Sequence, residues 1–387
     1  MKFFLIAGEP SGDNLGGPLM AGLKTLDPEA AFLGVGGPSM GGEGLESLFP
    51  MEELSVMGLV EVLPKYRQLK ARIRQTAKAV AEARPDALIT IDSPDFCLRV
   101  AREAREMTPD LRTIHYVAPS VWAWRSGRAA KMAQVIDHVL AILPFEPPYM
   151  QAAGMSCDFV GHPIAAEPVG TADEGIAFRE AHDIAADAPL ILCLPGSRRG
   201  EVARLGPRFD EALMQLRDRL PEIRVVIPTV RGVSGLVRDM AKRWPTAPIV
   251  VETPEDKRAA FAAANLALAA SGTVSLDLAA NDVPMVIGYD VAPLSRMIIG
   301  LMLKTDTVTL VNLVSETRTV PEFLGRKCQP GAMFKALHEL IENPAARAAQ
   351  HEAMALTMER LGRGGEAPGL RAARSVMAAL SSARQPR

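Results

Sequence analysis

This chain lacks the residue groupings behind several common chemistries. Its four cysteines, Cys97, Cys157, Cys193 and Cys328, are widely separated, with no CxxC pair and no Cys/His cluster at zinc spacing. Buried free thiols in a reducing compartment are the expectation. No Asp-x-Asp occurs, so the carboxylate pair that often holds a divalent ion on a diphosphate is missing. Metal-independent chemistry without a cofactor is therefore expected. The loop after the first apolar run has neither Gly-x-Gly-x-x-Gly spacing nor a Walker lysine, so both common nucleotide fingerprints are missed. No apolar run reaches the ~20 residues of a membrane span. The N-terminal run, MKFFLIAG, is too short for a signal sequence. A cytoplasmic protein is expected, one that could still lie on a membrane surface. A formal net charge of −2 provides no global field for nucleic acid, which is not expected as a partner.

What is present suits a soluble globular chain of about two domains: 387 residues, 48% hydrophobic and 23% charged. Short apolar runs at 2–7, 31–35, 87–91, 112–117, 139–143 and 158–160 alternate with helical stretches at 15–25, 68–83 and 96–107. Gly161-His162-Pro163 closes that series, and a polar, acidic stretch at 167–175 reads as a linker. The alternation then resumes, with strands at 190–194, 225–228, 249–251, 266–269 and 285–289 and helices at 201–219, 235–243 and 274–280. The pattern predicts an α/β protein of two tandem doubly wound units with parallel sheets. Residues 331–383 are helical in pattern, broken at 362–369, and the last helix could cross back to the first unit.

In such sheets ligands bind beyond the carboxyl ends of the strands, so the strand-ending loops are the places to search. The first, GEPSGDNLG at 8–16, opens a helix. Glu9 and Asp13 would repel a phosphate there, so a hydroxylated sugar suits it better. A tight turn capped by Ser11 or Asp13 explains it equally well. In IDSPDF, at 91–96, Asp92 ends a strand and could act as a general base on a hydroxyl. Ser93 or Asp95 could instead cap the following helix. HYVAPSVWAWR, at 115–125, holds two of the chain's three tryptophans, Trp122 and Trp124, beside Arg125. Such a loop suits a sugar ring, a phosphate or an acyl edge, or simply covers the core.

LILCLPGSRRGEV, at 190–202, is a strand that stops at Pro195. Gly196 and Ser197 turn the chain, and Arg198 and Arg199 stand before a helix that begins near Glu201. Bare N–H groups and arginines at a helix start make an anion site. ASGTVSLD, at 270–277, repeats the arrangement with Ser271, Gly272 and Thr273, and Asp277 could accept from ribose hydroxyls. Two such loops on neighbouring strands could hold one nucleotide diphosphate. Apolar stretches at 56–63 and 297–303 have basic neighbours, Lys65, Arg67, Lys70, Arg72 and Arg74 for the first and Arg296 and Lys304 for the second. They suit an anionic membrane surface or an acyl groove, or core helices with solvated edges.

In their order, GEPSGD, MEELSVMGLVEVL, IDSPDF, IHYVAPSVWAWR, ILPFE, VGHP, LPGSRRGEV, ASGTVSLD, PMVIGY and KTDTVTLVNL resemble the lipid-A-disaccharide synthase family over roughly four-fifths of the chain. The resemblance implies a GT-B glycosyltransferase, with two Rossmann-like domains facing a central cleft. Residues 1–166 would bind the acceptor and lipid, 167–361 the UDP-sugar, and 362–387 would form a helix on the first domain. It implies a hexosyltransferase of lipid A biosynthesis at the cytoplasmic face of the Gram-negative inner membrane. UDP-2,3-diacylglucosamine and 2,3-diacylglucosamine 1-phosphate (lipid X) would give the β(1→6) tetraacyl disaccharide 1-phosphate and UDP, with inversion. By the family's motifs Asp92 would be the base and Arg198 would neutralise departing UDP. Ser271, Gly272 and Thr273 would flank the diphosphate and Asp277 would face the ribose, a position where many relatives have Glu. Asn312 and Glu9 also match family site positions. Val60, Val62, Leu63 and Leu69 fall where the family presents an apolar acyl or membrane surface. A homodimer is a further candidate assembly.

Three other readings compete. A UDP-N-acetylglucosamine 2-epimerase shares the two-domain plan but needs no fatty surface at 56–63. A nicotinamide-dependent oxidoreductase requires the glycine spacing that the first loop lacks. A non-catalytic nucleotide-sugar binder would not need Asp92.

Overall fold

The computed structural model of this chain describes residues 1–54, 59–122, 127–291 and 305–383, with backbone alone at 59–66 and at 383. It divides into two compact units, Met1–Ala166 with Gly364–Arg387, and Glu167–Arg363.

The first unit runs β1 (Lys2–Ala7), α1 (Pro10–Leu26), β2 (Ala31–Val35), α2 (Pro38–Gly42), α3 (Leu59–Ala83), β3 (Ala87–Ile91), α4 (Pro94–Met107), β4 (Thr113–Tyr116), α5 (Gly127–Met132), β5 (His138–Ala141), α6 (Pro147–Ala152) and β6 (Ser156–Phe159). Its six strands form one parallel sheet in the order β2-β1-β3-β4-β5-β6. β1 and β3 read as unbroken apolar runs because both faces of the sheet are covered; five of six and five of five of their residues are buried.

The second unit runs α7 (Ala172–Ala181), β7 (Leu190–Leu194), α8 (Arg199–Arg219), β8 (Arg224–Pro228), α9 (Ser234–Ala241), β9 (Ile249–Val251), α10 (Pro254–Ala263), β10 (Leu266–Ala270), α11 (Val274–Ala280), β11 (Met285–Tyr289), α12 (Leu310–Ser315), β12 (Glu322–Leu324), α13 (Pro330–Glu342) and α14 (Pro344–Arg360). Its sheet is again parallel, in the order β12-β11-β10-β7-β8-β9. α8 shows how the sequence specifies its layer. Val202, Leu205, Phe209, Ala212, Leu213 and Leu216 recur at helical spacing and are all buried. Burying each of the larger ones contributes roughly 1.5–3 kcal/mol.

The stretch expected as a linker, 167–175, is shorter than its composition suggests. α7 begins at Ala172 because Thr171 and Glu174 form a capping box: the Glu174 N–H donates to Thr171 Oγ1 (3.2 Å) and the Thr171 N–H to Glu174 Oε2 (2.8 Å). Arg258 of α10 donates to the other Glu174 oxygen at 2.6 Å. The edge strand β12 went unread because it has three half-buried residues and no alternation.

The C-terminal helix, α15 (Pro368–Ala383), belongs to the first unit. It packs along α1 and is tied to the sheet by a hydrogen-bonded chain through the buried His138 and Ser375. His138 bonds Ser156 Oγ through Nδ1 and Ser375 Oγ through Nε2, both at 2.8 Å, and Ser375 donates to Asp158 at 2.6 Å. Burial holds the His138 imidazole below its ordinary pKa. All four cysteines are buried and free.

Candidate functional site: two strand-end loop pairs

In each sheet the connections reverse direction at one place. β1 leads outward to β2, while β3 leads the other way to β4; β7 leads to β8, while β10 leads to β11. The reversals fall between β1 and β3 and between β7 and β10, and the crevice at such a switch point is where open α/β sheets bind ligands. Register places the loops: Ala7 lies opposite Ile91, and Leu194 opposite Ala269. Gly8–Glu9 therefore emerge beside Asp92, and Pro195–Arg198 beside Ser271–Thr273.

In the second unit these loops line a cavity of about 460 Å³. Gly196, Ser197, Arg198 and Glu201 form one wall, and Ser271, Gly272, Thr273 and Asp277 another. Gly196 has φ +115°, and a Cβ there would stand 2.7 Å from Glu201 Oε2, so the turn needs glycine on both counts. Arg198 is the N-cap residue of α8, with its side chain 69% exposed. Its guanidinium pairs with Glu201 at 3.3 Å, and Glu201 Oε2 also accepts from the Arg198 N–H at 3.4 Å. The arginine is thus held at the cavity mouth by an exposed pair worth little, which an incoming anion can displace. Burial pushes the Asp277 carboxyl above the usual carboxylate range, with the Lys257 ammonium pulling the other way.

Lys257, Pro228, Thr229 and Val230 complete the wall, and sequence reasoning missed all four. Lys257 sits in the first turn of α10, whose start Thr253 caps by accepting from the Asp256 N–H at 3.0 Å. In TPEDKR it reads as a solvated charge. Only the neighbouring positions of β7, β8 and β10 bring it to the cavity.

In the first unit the β3–α4 corner is strained. Asp92 and Ser93 both lie in the left-handed region, at φ +52° and +41°. Each such residue costs on the order of 1 kcal/mol, and strain of this kind gathers at functional sites. The Asp92 N–H donates to Tyr116 O (3.0 Å), and Asp92 Oδ2 accepts from Ser11 Oγ (3.2 Å). Gly8 lets the first loop approach, since a Cβ there would meet Ser93 Oγ at 2.7 Å. Glu9, half-buried, is the N-cap residue of α1 but makes no side-chain cap bond. Asp13 does not cap α1. Its buried carboxylate accepts from the N–H groups of Gly37 (2.8 Å), Ser39 (2.9 Å) and Met40 (3.0 Å), and so fixes the start of α2. Of the two residues that could instead have capped α4, Ser93 is its N-cap residue but makes no side-chain cap bond, and Asp95 lies inside the helix.

The other expected site residues have these surroundings. Asn312 does not line the cavity. It is 1% exposed; its Oδ1 accepts from the Val320 N–H (3.1 Å) and its Nδ2 donates to Val320 O (2.9 Å), so it braces the segment before β12. Leu69 packs partly buried against the core of the first unit. Beside it Arg72 bonds Glu53 at 2.8 Å and lies 4.4 Å over the Phe49 ring. Trp122 meets Phe145 edge-on at 5.2 Å. Under it Glu146 is buried and accepts from the Leu143 N–H at 3.0 Å, and burial pushes its carboxyl up to about 8. His115 is core: burial lowers it to about 4, and its Nδ1 bonds Thr90 Oγ1 at 2.7 Å. Trp124, Arg125, the side chains of Val60, Val62 and Leu63, and the stretch 297–303 lie outside the described residues. Among the described residues no three His, Cys, Asp or Glu side chains gather where a metal ion could be held, and no helix is long and apolar enough to cross a membrane.

Two parallel sheets of this order, each with a crevice at its reversal, are the plan of GT-B enzymes that handle UDP-sugars. Solved structures share it along nearly the whole chain. The UDP-GlcNAc 2-epimerase of Neisseria meningitidis, bound to UDP-GlcNAc, superposes with a TM-score of 0.64 over 99% of this chain and 100% of that one, at 12% identity. Anabaena HepE, in complex with UDP and glucose, gives 0.61 over 98% and 99%, at 13% identity. Such identities show the fold alone. Sequence is more specific. The family model described as lipid-A-disaccharide synthetase matches residues 3–368. The lipid-A-disaccharide synthase of Ruegeria pomeroyi is 59% identical over 97% of this chain and 95% of its own length, and that of Rhodospirillum centenum 47% over 97% and 94%. The chain belongs to the lipid-A-disaccharide synthetase family, and the epimerases are neighbours in fold only.

Proposed function

We propose that this chain is an inverting glycosyltransferase joining UDP-2,3-diacylglucosamine to 2,3-diacylglucosamine 1-phosphate, with the β(1→6) tetraacyl disaccharide 1-phosphate and UDP as products. What carries the reading, within this family, is the second unit's cavity at the β7/β10 reversal, where Arg198 and Lys257 stand with Ser271, Gly272, Thr273 and Asp277. In this account the diphosphate lies across the Gly196–Arg198 turn and the Ser271–Thr273 loop, and Asp277 accepts from the ribose. Arg198 leaves Glu201 for the diphosphate.

Asp92 takes the proton of the acceptor 6-hydroxyl as that oxygen attacks the anomeric carbon. The bond from that carbon to the diphosphate oxygen breaks, and the electron pair leaves with UDP. An α-linked donor thus gives a β-linked product in one displacement. Charge on departing UDP falls on Arg198 and Lys257, so no step in this account calls for a metal or cofactor. Ser11 aims Asp92, and Glu9 stands by for a sugar hydroxyl. Asn312 supports the donor side from behind. Trp122, Trp124 and Arg125 belong to the acceptor side, and Val60, Val62, Leu63 and Leu69 to an acyl or membrane face. The chain works at the cytoplasmic face of the inner membrane, and a homodimer is compatible with it.

The test is UDP release that depends on the acceptor. Disaccharide formed by the wild-type chain and lost with Asp92→Asn, while UDP binding persists, supports the assignment. Equal turnover by the variant removes Asp92 from the role of base.

A further inference from the structure

Three strand-end loops stand in a row along the carboxyl edge of the first sheet: the Asp92 corner, the loop 117–122 and the loop 142–146. Register sets the row, since Ile91 lies opposite Tyr116, and Tyr116 opposite Leu140. The middle loop is tied on both sides where it starts. The Asp92 N–H donates to Tyr116 O and the Val117 N–H to Leu140 O, both at 3.0 Å. Val117 is left-handed, at φ +82°, which strains a β-branched residue and persists only under constraint. Further along, Pro119 lines a cavity of about 550 Å³ together with Pro94, Asp95 and Leu98 of α4. The loop is thus part of a wall that begins two residues after the expected base.

Trp122 holds the far end of this loop. Its ring meets Phe145 edge-on at 5.2 Å, and its Nε1 is buried. Glu146, also buried, follows Phe145 directly. Burial raises the Glu146 carboxyl, while the Leu143 N–H and the Trp122 indole N–H draw it the other way. Nε1 nevertheless completes no hydrogen bond in this arrangement. A buried indole N–H left unpaired is costly, and Glu146 is the group placed to receive it.

We infer that Glu146 is a positioning residue for the acceptor sugar: its carboxyl takes the Trp122 indole N–H and so holds the loop 117–122 in place against its strained start at Val117. The inference rests on the reaction proposed above, which puts Trp122 on the acceptor side. Being buried, Glu146 touches no substrate and acts through Trp122. Asp92 keeps its own holds, Tyr116 O and Ser11. Loss of the Glu146–Trp122 contact should therefore fall on the KM for acceptor sugar more than on kcat.

The experiment compares the purified full chain with Trp122→Phe, Glu146→Leu, the double variant and Glu146→Gln at saturating donor. Trp122→Phe keeps a ring against Phe145 and removes the N–H. Glu146→Leu keeps most of the volume and removes the oxygens. Each should raise the KM for 2,3-diacylglucosamine 1-phosphate about tenfold, as expected for one buried hydrogen bond lost, and leave the KM for donor unchanged. The double variant should be no worse than either single one. Glu146→Gln keeps an oxygen for the indole and should stay within about threefold of the wild-type chain. A general loosening of the first unit would instead add across the two positions, and glutamine would not rescue it. Additive losses, absence of rescue, an equal rise in the KM for donor, or an unchanged KM in Trp122→Phe overturn the inference. Glu146→Leu also strips the Leu143 N–H of its partner. Should it fold poorly, Trp122→Phe decides alone, because the buried Nε1 cannot reach a sugar directly: the rise keeps the inference and its absence overturns it. If the wild-type chain makes no disaccharide, the reaction reading fails on its own. Equilibrium binding of 2,3-diacylglucosamine 1-phosphate then decides the role of Glu146, kept by about tenfold weaker binding to Trp122→Phe and overturned by equal binding.

Discussion

The Ser11 hydroxyl donates to Asp92 Oδ2 across 3.2 Å, linking the first turn of α1 to the loop after β3 although 81 residues separate them. The bond crosses the reversal point of the first sheet and sets the direction of a carboxylate whose backbone is held at φ +52°. A corner of that kind is stable only if its surroundings hold it. Gly8, closing over Ser93, supplies part of that hold.

Asp92→Asn should lower turnover about 10²–10⁴-fold if the carboxylate is the base. Ser11→Ala should cost less, about tenfold or under, because it removes aim and not the proton acceptor. The double variant should be no slower than Asp92→Asn alone, since Ser11 acts through Asp92. Steady-state rates of the three proteins check this, and additive losses would separate the two residues.

Arg198→Ala and Lys257→Gln should each weaken UDP binding about tenfold or more and lower turnover with it, as loss of a charge-assisted contact predicts. Calorimetric titration with UDP reads the first effect. Unchanged binding by Lys257→Gln would remove that residue from the donor site.

Gly196→Ala should weaken UDP binding and destabilise the second unit by roughly 1–2 kcal/mol, because alanine is strained at φ +115° and its Cβ meets Glu201. Denaturant midpoints and UDP titration on the same samples check both effects.

Glu146 should make stability depend on pH. Burial raises its carboxyl from the ordinary 4.5 to about 8 in the folded chain. Between those values the unfolded chain gives up the proton while the folded chain keeps it. The contribution is therefore complete below 4.5 and is lost as pH rises through about 8. Glu146→Gln should flatten the thermal midpoint across that window. Parallel slopes for the two proteins would show that Glu146 does not titrate there.

Much of this arrangement is legible in local sequence. The apolar runs of β7 and β10 stop at PGSR and SGT, so the sequence alone marks strand ends, turns and helix starts there. Asp92 can be read because it ends an apolar run at a Pro-containing corner. Lys257 cannot, since TPEDKR looks like any solvated helix start, and only sheet order brings it to the cavity. Asp13 misled for a similar reason: its partners at residues 37–40 lie beyond a whole helix and strand. Thr171 and Glu174 were readable as a capping box, but the polar composition around them pointed to a linker. Asn312 lay within a readable motif, yet its burial and its pairing with Val320 depend on the fold.

The most direct test is to give the purified chain UDP-2,3-diacylglucosamine and 2,3-diacylglucosamine 1-phosphate in detergent with a chelator present, and to follow UDP and disaccharide by mass spectrometry. Acceptor-dependent release of UDP, with one tetraacyl disaccharide 1-phosphate formed per UDP, is the expected result. UDP binding without any disaccharide, or epimerisation of UDP-N-acetylglucosamine in its place, would contradict it.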